Sequence, residues 1–559
     1  YVDSATARID IYLKTDPLYK YQWHLDNTGQ NNFATNAGTL GADLNVDGAI
    51  ADGKTGAGIV VAVVDSGLEI THEDIVDNVV TNGSWNFGNS STNPVPTDSD
   101  GDHGTSVAGI IASTGWNNLG GRGVAPNASI KGFRYSQDDG SYFIADQVKA
   151  LGAASFSLAS DVSVFNMSFG GPGFTLTPTD TALPITSDLN HTVYAQLTAG
   201  TSNLRSGKGA SYPNSSGNDY NTGSSSSAGI GYYCGNGAAA GSYKISCFDA
   251  IFDYLFTSSS IIGVGALDAD KVKASYSTPG ASLWVSAPGG EYGHTYPAIT
   301  TVDQSSCSKG YVSSANGYRP NAFNNDLSPH AENLNCNYTS GFNGTSSAAP
   351  MVSGVIALML EANSALTWRD VKHILATTAV QVDSSFSAAA VSGIDYVGWV
   401  ENSTGLKFHP WYGFGAVDAT AAVNAAATYT TGSLGSKLLT SWNNSIESSV
   451  TIPDTTLVTQ TLTESGAGTI EHVLISTRIA HTNPTELGFR LESPSGTFST
   501  LLNPLTVIGT NYSSSEWIYL PTNAFYGETK VGDWKLHIVD HFAGTTGTRV
   551  QWGIQFMHR

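Results

Sequence analysis

The stretch "GFNGTSSAAPMVSGVIALMLEAN", residues 341–363, decides how this chain is read. Its second half, Val352 to Leu360, is apolar and unbroken, the core of a buried helix. Its first half sets Gly341, Gly344, Thr345, Ser346, Ser347 and Pro350 against that core. Such a start has two readings. Serine or threonine caps a first turn, and proline is tolerated there because its missing N–H has no intrahelical partner anyway. The other reading uses the free N–H groups and the helix dipole, which favour negative charge beside Ser346. Gly344 and Ala348 would then let another backbone come close. A base and an orienting acid elsewhere would decide for the second.

Both are present. "GIVVAVVDSG" (58–67) reads as a buried strand that delivers Asp65 at its carboxyl end, where open α/β sheets build their sites. "HGTSVAGIIAS" (103–113) reads as a helix opening on His103. Alone, Asp-Ser-Gly is a turn former and a helix-start histidine is solvated. Together, Asp65, His103 and Ser346 stand in the order Asp, His, Ser, which is the order of subtilisin and not of chymotrypsin or the α/β-hydrolases.

The chain of 559 residues is long enough for two domains. Its formal net charge of −21 argues against nucleic acid and anionic membrane as partners, since both require basic faces. No apolar run approaches the length of a membrane span. No signal peptide precedes Tyr1, so the chain reads as an already processed form. Cys234, Cys247, Cys307 and Cys336 form no C-x-x-C pattern, which points to two disulfides and a secretory route rather than zinc. Of three connectivities, Cys234–Cys247 with Cys307–Cys336 gives the shortest loops.

From residue 58 onward, continuous apolar runs such as 129–136, 162–170 and 261–269 alternate with helical stretches at 144–154 and 355–366, as in a parallel sheet covered on both faces. After Tyr429 a polar linker, 430–437, leads to short alternating stretches at 469–477, 486–496, 533–544 and 549–556, an antiparallel β-sandwich. The expected domains are therefore 1–429 and 438–559.

On these residues the chain resembles the subtilases, and within them the kexin and furin group. The resemblance is carried by "DPLYKYQWHLDNTGQ" (16–30), "GIVVAVVDSGLEITHEDI" (58–75), "DHGTSVAG" (102–109) and "GTSSAAPMVSGVIALMLEANSALTWRD" (344–370). The C-terminal part resembles the P-domain of that group through "ESPSGT" and "GDWKLHIVDHFAG". The resemblance implies a subtilisin-like, doubly wound α/β domain followed by an all-β, jelly-roll-like P-domain. It implies a secreted, monomeric serine endopeptidase of bacterial type that acts on protein and peptide substrates, its folding assisted by a pro-segment or a separate chaperone. Ser346 would be the nucleophile, His103 the base, Asp65 its orienter, and Asn218 the oxyanion donor, against Asn203 and Asn214 nearby. The stretch before Asn218 departs from the family, with Pro213 and Asn214 where a hydrophobic strand is expected. Ser168, Phe169 and Gly170 would pair with an extended substrate.

Two further expectations come from the same resemblance. "ASTGWNNLGGRGVAP" (112–126) matches a calcium loop, with ligands at Thr114, Asn117, Leu119 and Gly121 and carboxylates from Asp16 and Asp74. Six or more oxygens suit Ca²⁺. Asp253, or less well Asp249, aligns with the acid at the base of a pocket for a basic P1 residue, and Asp100 with an acid near P2. Against a basic preference stand Ser66, the acid-free "SFGGPGF" (168–174), and "SYSTPG" (275–280), which lacks the glutamate of a second calcium site. A neutral pocket with broad specificity is one competing reading, and an inactive binding module of the same fold is another.

Overall fold

The structure is a computed structural model describing residues 16–96, 103–136, 143–170, 189–220, 245–314, 321–387, 389–391, 394–444, 450–506 and 517–559. Seven strands form one parallel sheet: β1 (Val60–Asp65), β2 (Trp85–Asn86), β3 (Ser129–Arg134), β4 (Val164–Met167), β5 (Tyr212–Ser215), β6 (Ile261–Leu267) and β7 (Leu283–Pro288). Their spatial order is β2-β3-β1-β4-β5-β6-β7, so the chain turns back at β1 and works outward in both directions. Strands β4, β6 and β7 are buried along their whole length, which is why they read as apolar runs without alternation.

Residues 212–215 correct one expectation: Pro213 and Asn214 do lie in a strand. β5 follows β6 from Tyr212↔Ile261 to Ser215↔Val264 but meets β4 at one register position, Met167↔Asn214. A residue without an N–H interrupts little of so short a ladder.

The helix His103–Ala112 and the helix Thr345–Ala362 pack together on one face of the sheet. Thr345–Ala362 passes the length and hydropathy test for a membrane span, contrary to the sequence reading. It is the central core helix, buried from Ala348 to Leu360. Its N-cap is Gly344, at φ +104° and with no side-chain cap. The hydroxyls are therefore not caps: Ser347 Oγ lies 2.7 Å from the carbonyl of Gly344 and 2.9 Å from that of Gly289, donating where a cap would accept. A hairpin of Ile299–Val302 and Tyr338–Phe342 leads into this helix. The Cys307–Cys336 disulfide closes the loop between its strands. Cys247 is disulfide-bonded too, and Cys234 lies outside the described residues.

From Leu438 the chain forms two antiparallel sheets, of five and four strands. Ile475, Phe489, Leu536, Ile538, Trp552 and Ile554 fill the space between them. This second domain is tied to the first by polar and apolar contacts. Asn523 Nδ2 donates to the carbonyls of Ser282 (2.7 Å) and Leu283 (3.1 Å), and Arg369 pairs with Glu471. Ala524 and Tyr526 enter the core of the first domain, with the Tyr526 ring 5.3 Å from that of Trp284.

Candidate active site

β1 ends on Asp65, which is 5% exposed. Its Oδ1 lies 2.8 Å from Nδ1 of His103 and accepts the Ser66 N–H at 2.7 Å. Two glycines allow this approach. A Cβ on Gly104 would meet the Gly67 carbonyl at 2.0 Å, and Gly67 itself has φ +147°. The helix carrying His103 can therefore lie directly on the turn after Asp65. On its other side the His103 ring packs 5.5 Å from Phe342, on the strand that runs into Ser346.

Ser346 stands in the first turn of the central helix, half-buried. Its Oγ donates to the Ser168 carbonyl at 3.2 Å. Ser168 Oγ donates back to the Ser346 carbonyl at 2.9 Å, and Asn166 Nδ2 braces Ser168 at 2.9 Å. Asn218 is exposed beside the same turn. Its Oδ1 accepts from Thr345 N–H (2.9 Å) and Thr345 Oγ (3.0 Å), so the amide's oxygen is engaged and its two N–H donors remain to face the cleft. A Cβ on Gly344 would come 3.3 Å from that amide nitrogen. The alternatives lie elsewhere: Asn214 is wholly buried in β5, and Asn203 ends the helix Leu189–Asn203.

Residues 168–170 continue past the end of β4 toward a pocket that Gly170 lines. Asp249 and Asp253 both line it, with Ser215 at the end of β5 and Ser216 after it. Each carboxylate accepts an N–H of its own chain two residues on, Ile251 for Asp249 and Leu255 for Asp253. Burial pushes both carboxyls up to about 7. Gly170, at φ +144°, is needed here, since a Cβ would come 2.5 Å from Asp253 Oδ2. Asp219 and Thr278 also line it, and sequence reasoning missed Asp219. Its one signal was a carboxylate directly after Asn218. Asp100 lies outside the described residues.

The segment expected to hold calcium sets Asn117 and Thr114 against Asp74. Asp74 is wholly buried, and Asn117 Nδ2 donates to its Oδ1 at 2.8 Å. Its Oδ2 is buried without a partner, as is Thr114 Oγ. Burial, together with the charge of Asp16, pushes the Asp74 carboxyl up to about 8. A buried acid with an idle oxygen fits a cation. Asp16 differs: its Oδ2 lies 2.8 Å from Nη2 of Arg122, whose guanidinium is 2% exposed and packs on the rings of Tyr19 and Trp116. Leu119 bonds Asn117 Oδ1 through its N–H. Among the described residues no cluster of three or more His, Cys, Asp or Glu forms a metal site, so a cation here would draw largely on backbone oxygens.

An aspartate-bound histidine and a helix-start serine, both at the carboxyl edge of a parallel sheet, fit a serine protease of the open α/β type. Residues 56–415 match the Subtilase family and residues 470–556 the Proprotein convertase P-domain. The chain belongs to the subtilase family. It is 33% identical to the Aeromonas extracellular serine protease of Aeromonas sobria over 561 residues, covering 95% of this chain and 85% of that one. It is 29% identical to kexin of Saccharomyces cerevisiae, covering 94% of this chain and 54% of kexin. The crystal structure of the Aeromonas sobria serine protease superposes with a TM-score of 0.85 at 29% identity, covering 98% of this chain and 96% of that one. That protease has also been solved in complex with a chaperone, ORF2.

Proposed function

We propose that this protein is a secreted endopeptidase that cleaves peptide bonds through an acyl-enzyme and prefers Lys or Arg at P1. The observation that carries the reading is the 2.8 Å contact between His103 Nδ1 and Asp65 Oδ1, one strand away from a serine at a helix start. Asp65 holds the imidazole with Nδ1 protonated, which leaves Nε2 as the base. Nε2 takes the Ser346 proton as Oγ attacks the scissile carbonyl, and returns it to the leaving amine. The developing oxyanion is met by the Ser346 N–H and by Nδ2 of Asn218. Ser168, Phe169 and Gly170 take the substrate backbone as an added strand, and a P1 cation enters the pocket of Asp249 and Asp253.

Calcium would be held by Asp74 and Asp16, by Asn117, and by backbone oxygens of Thr114, Leu119 and Gly121, supplying positive charge that neutralises a buried carboxylate. A relative named as an extracellular protease, and the disulfide, support secretion. The chaperone complex of the Aeromonas sobria protease supports a separate folding partner here. Profiling cleavage sites in a peptide library tests the whole reading: dominant Lys or Arg at P1 is expected, and dominant aromatic or aliphatic P1 refutes the specificity.

A further inference from the structure

The pocket beside Ser346 has a floor with two sides. One side faces the cleft and carries Asp249 and Asp253. The other faces the P-domain. Asn503 Nδ2, in a buried P-domain loop, donates to the Ser246 carbonyl at 2.8 Å, three residues before Asp249. Ile251, between the two acids, is 5% exposed and belongs to the hydrophobic core of the P-domain sandwich, with Ile470, Leu520 and Phe525. The short helix Tyr254–Thr257, whose N-cap is Asp253, packs against the P-domain strand Ile518–Thr522. The segment 246–257 is thus held at both ends and in the middle by the second domain.

We infer that the P-domain forms the back wall of the P1 pocket and sets its specificity, with Asn503 and Ile251 as positioning residues for Asp249 and Asp253. The inference rests on the proposed basic P1 preference. Both acids are fixed by N–H groups of this same segment, at Ile251 and Leu255, so a shift of its backbone moves their carboxylates directly. Neither Asn503 nor Ile251 lines the pocket or touches the catalytic trio. Their loss should therefore be felt in cation recognition and not in nucleophile reactivity.

The test uses the full chain and two readouts. One is kcat and KM on a pair of peptides that differ only in Arg or Leu at P1. The other is the rate of inactivation by a sulfonyl fluoride, which reads the serine without a P1 cation. Asn503→Ala and Ile251→Ala should each lower kcat/KM for the Arg peptide by about tenfold, chiefly through KM, the scale of one misplaced charge-assisted hydrogen bond. The Leu peptide and the inactivation rate should stay within about twofold of wild type. Ile251→Val should restore Arg cleavage. Glu471→Gln, which loosens the interface at Arg369 instead, should lower the melting temperature without changing the Arg-to-Leu ratio. Should Ile251→Ala not fold, Asn503→Ala carries the test alone. An unchanged Arg-to-Leu ratio in Asn503→Ala, where Asp253→Asn does change it, overturns the inference. If Asp253→Asn and Asp249→Asn leave Arg cleavage untouched, the pocket reading itself falls, and this inference with it.

Discussion

Ser346 and Ser168 exchange hydrogen bonds: each hydroxyl donates to the other residue's carbonyl, at 3.2 and 2.9 Å. The exchange pins the start of the central helix to the end of β4, and Ser353 reinforces it by donating to Asn166 Oδ1 at 2.8 Å. It also parks Ser346 Oγ on the carbonyl that, under the proposed function, an incoming substrate strand would use for its own N–H. Substrate binding on this edge would free the hydroxyl for His103.

Ser346→Ala should remove hydrolysis and keep the fold, because the half-buried hydroxyl fills little space and Ser168 Oγ retains its bond to the backbone carbonyl. Loss of a triad nucleophile costs on the order of 10⁶ in kcat, the magnitude known for subtilisin. Asn218→Ala should cost roughly 10²–10³ in kcat with KM little changed, since its amide meets charge present only in the transition state. Single-turnover kinetics on folded variants check both. Near-normal turnover in Ser346→Ala would remove the serine from its role.

EDTA should lower the melting temperature and protease resistance without stopping peptide hydrolysis at once. The loop at Asp74 lies away from Ser346, and a ligand bound only by the native state stabilises by mass action. Asp74→Asn should abolish the response to chelator. The Arg122–Asp16 pair predicts a partial effect, because part of the buried negative charge is already neutralised from within. Calorimetry with and without chelator decides; equal melting curves would exclude a structural cation there.

The sequence made the sheet, the central helix and the Asp–His–Ser order legible because each is local: an apolar run, a glycine beside a catalytic-type residue, a fixed chain order. What escaped depends on distant partners. Arg122 reads as part of a glycine-rich loop, and only the fold sets it against Asp16, 106 residues earlier. Pro213 reads as a departure from a hydrophobic strand, yet the four-residue pairing with β6 holds it in one. The acid of the pocket stayed open between Asp249 and Asp253, and the structure places both in one pocket with Asp219.

Deleting residues 438–559 should destabilise the catalytic domain strongly. It would strip Tyr526 from a core that contains Trp284 and leave the Ser282 and Leu283 carbonyls without the Asn523 amide. The cut exposes apolar surface to water, at roughly 25 cal/mol per Å². Melting and limited proteolysis of the truncated chain check this, and equal heat resistance would show the two domains to be independent.

Acid should unfold the protein through its buried neutral histidines. Burial lowers His24 and His409 to about 3, and His472 and His541 to about 4. Their contribution to stability is full above the unfolded value of 6.5 and is lost as pH falls through the folded values. His472 and His541 contact Asn523 and Tyr396, at and near the domain junction, so the P-domain contacts should fail early. Replacing His541 by Gln should flatten the stability profile between pH 6 and 4, measured by urea unfolding.

Specificity should depend on pH more steeply than catalysis does. Asp249 and Asp253 sit near 7, against an ordinary value of 3.8, because burial disfavours their charge. For such carboxyls the contribution to folding is full below about 4 and is lost as pH rises through 7, so the empty pocket is strained at alkaline pH. A P1 guanidinium relieves that strain by supplying the missing counter-charge, and it gains nothing from the protonated pocket. Raising pH from 6 to 8 should therefore raise kcat/KM for an Arg substrate by more than for a Leu substrate, whose P1 side chain carries no charge for the pocket to meet. The ratio of the two, plotted against pH, isolates the pocket from the catalytic base. It should climb by roughly tenfold across that interval. In Asp253→Asn the climb should shrink to the part due to Asp249, and a flat ratio in the wild-type enzyme would mean that neither acid meets the P1 side chain.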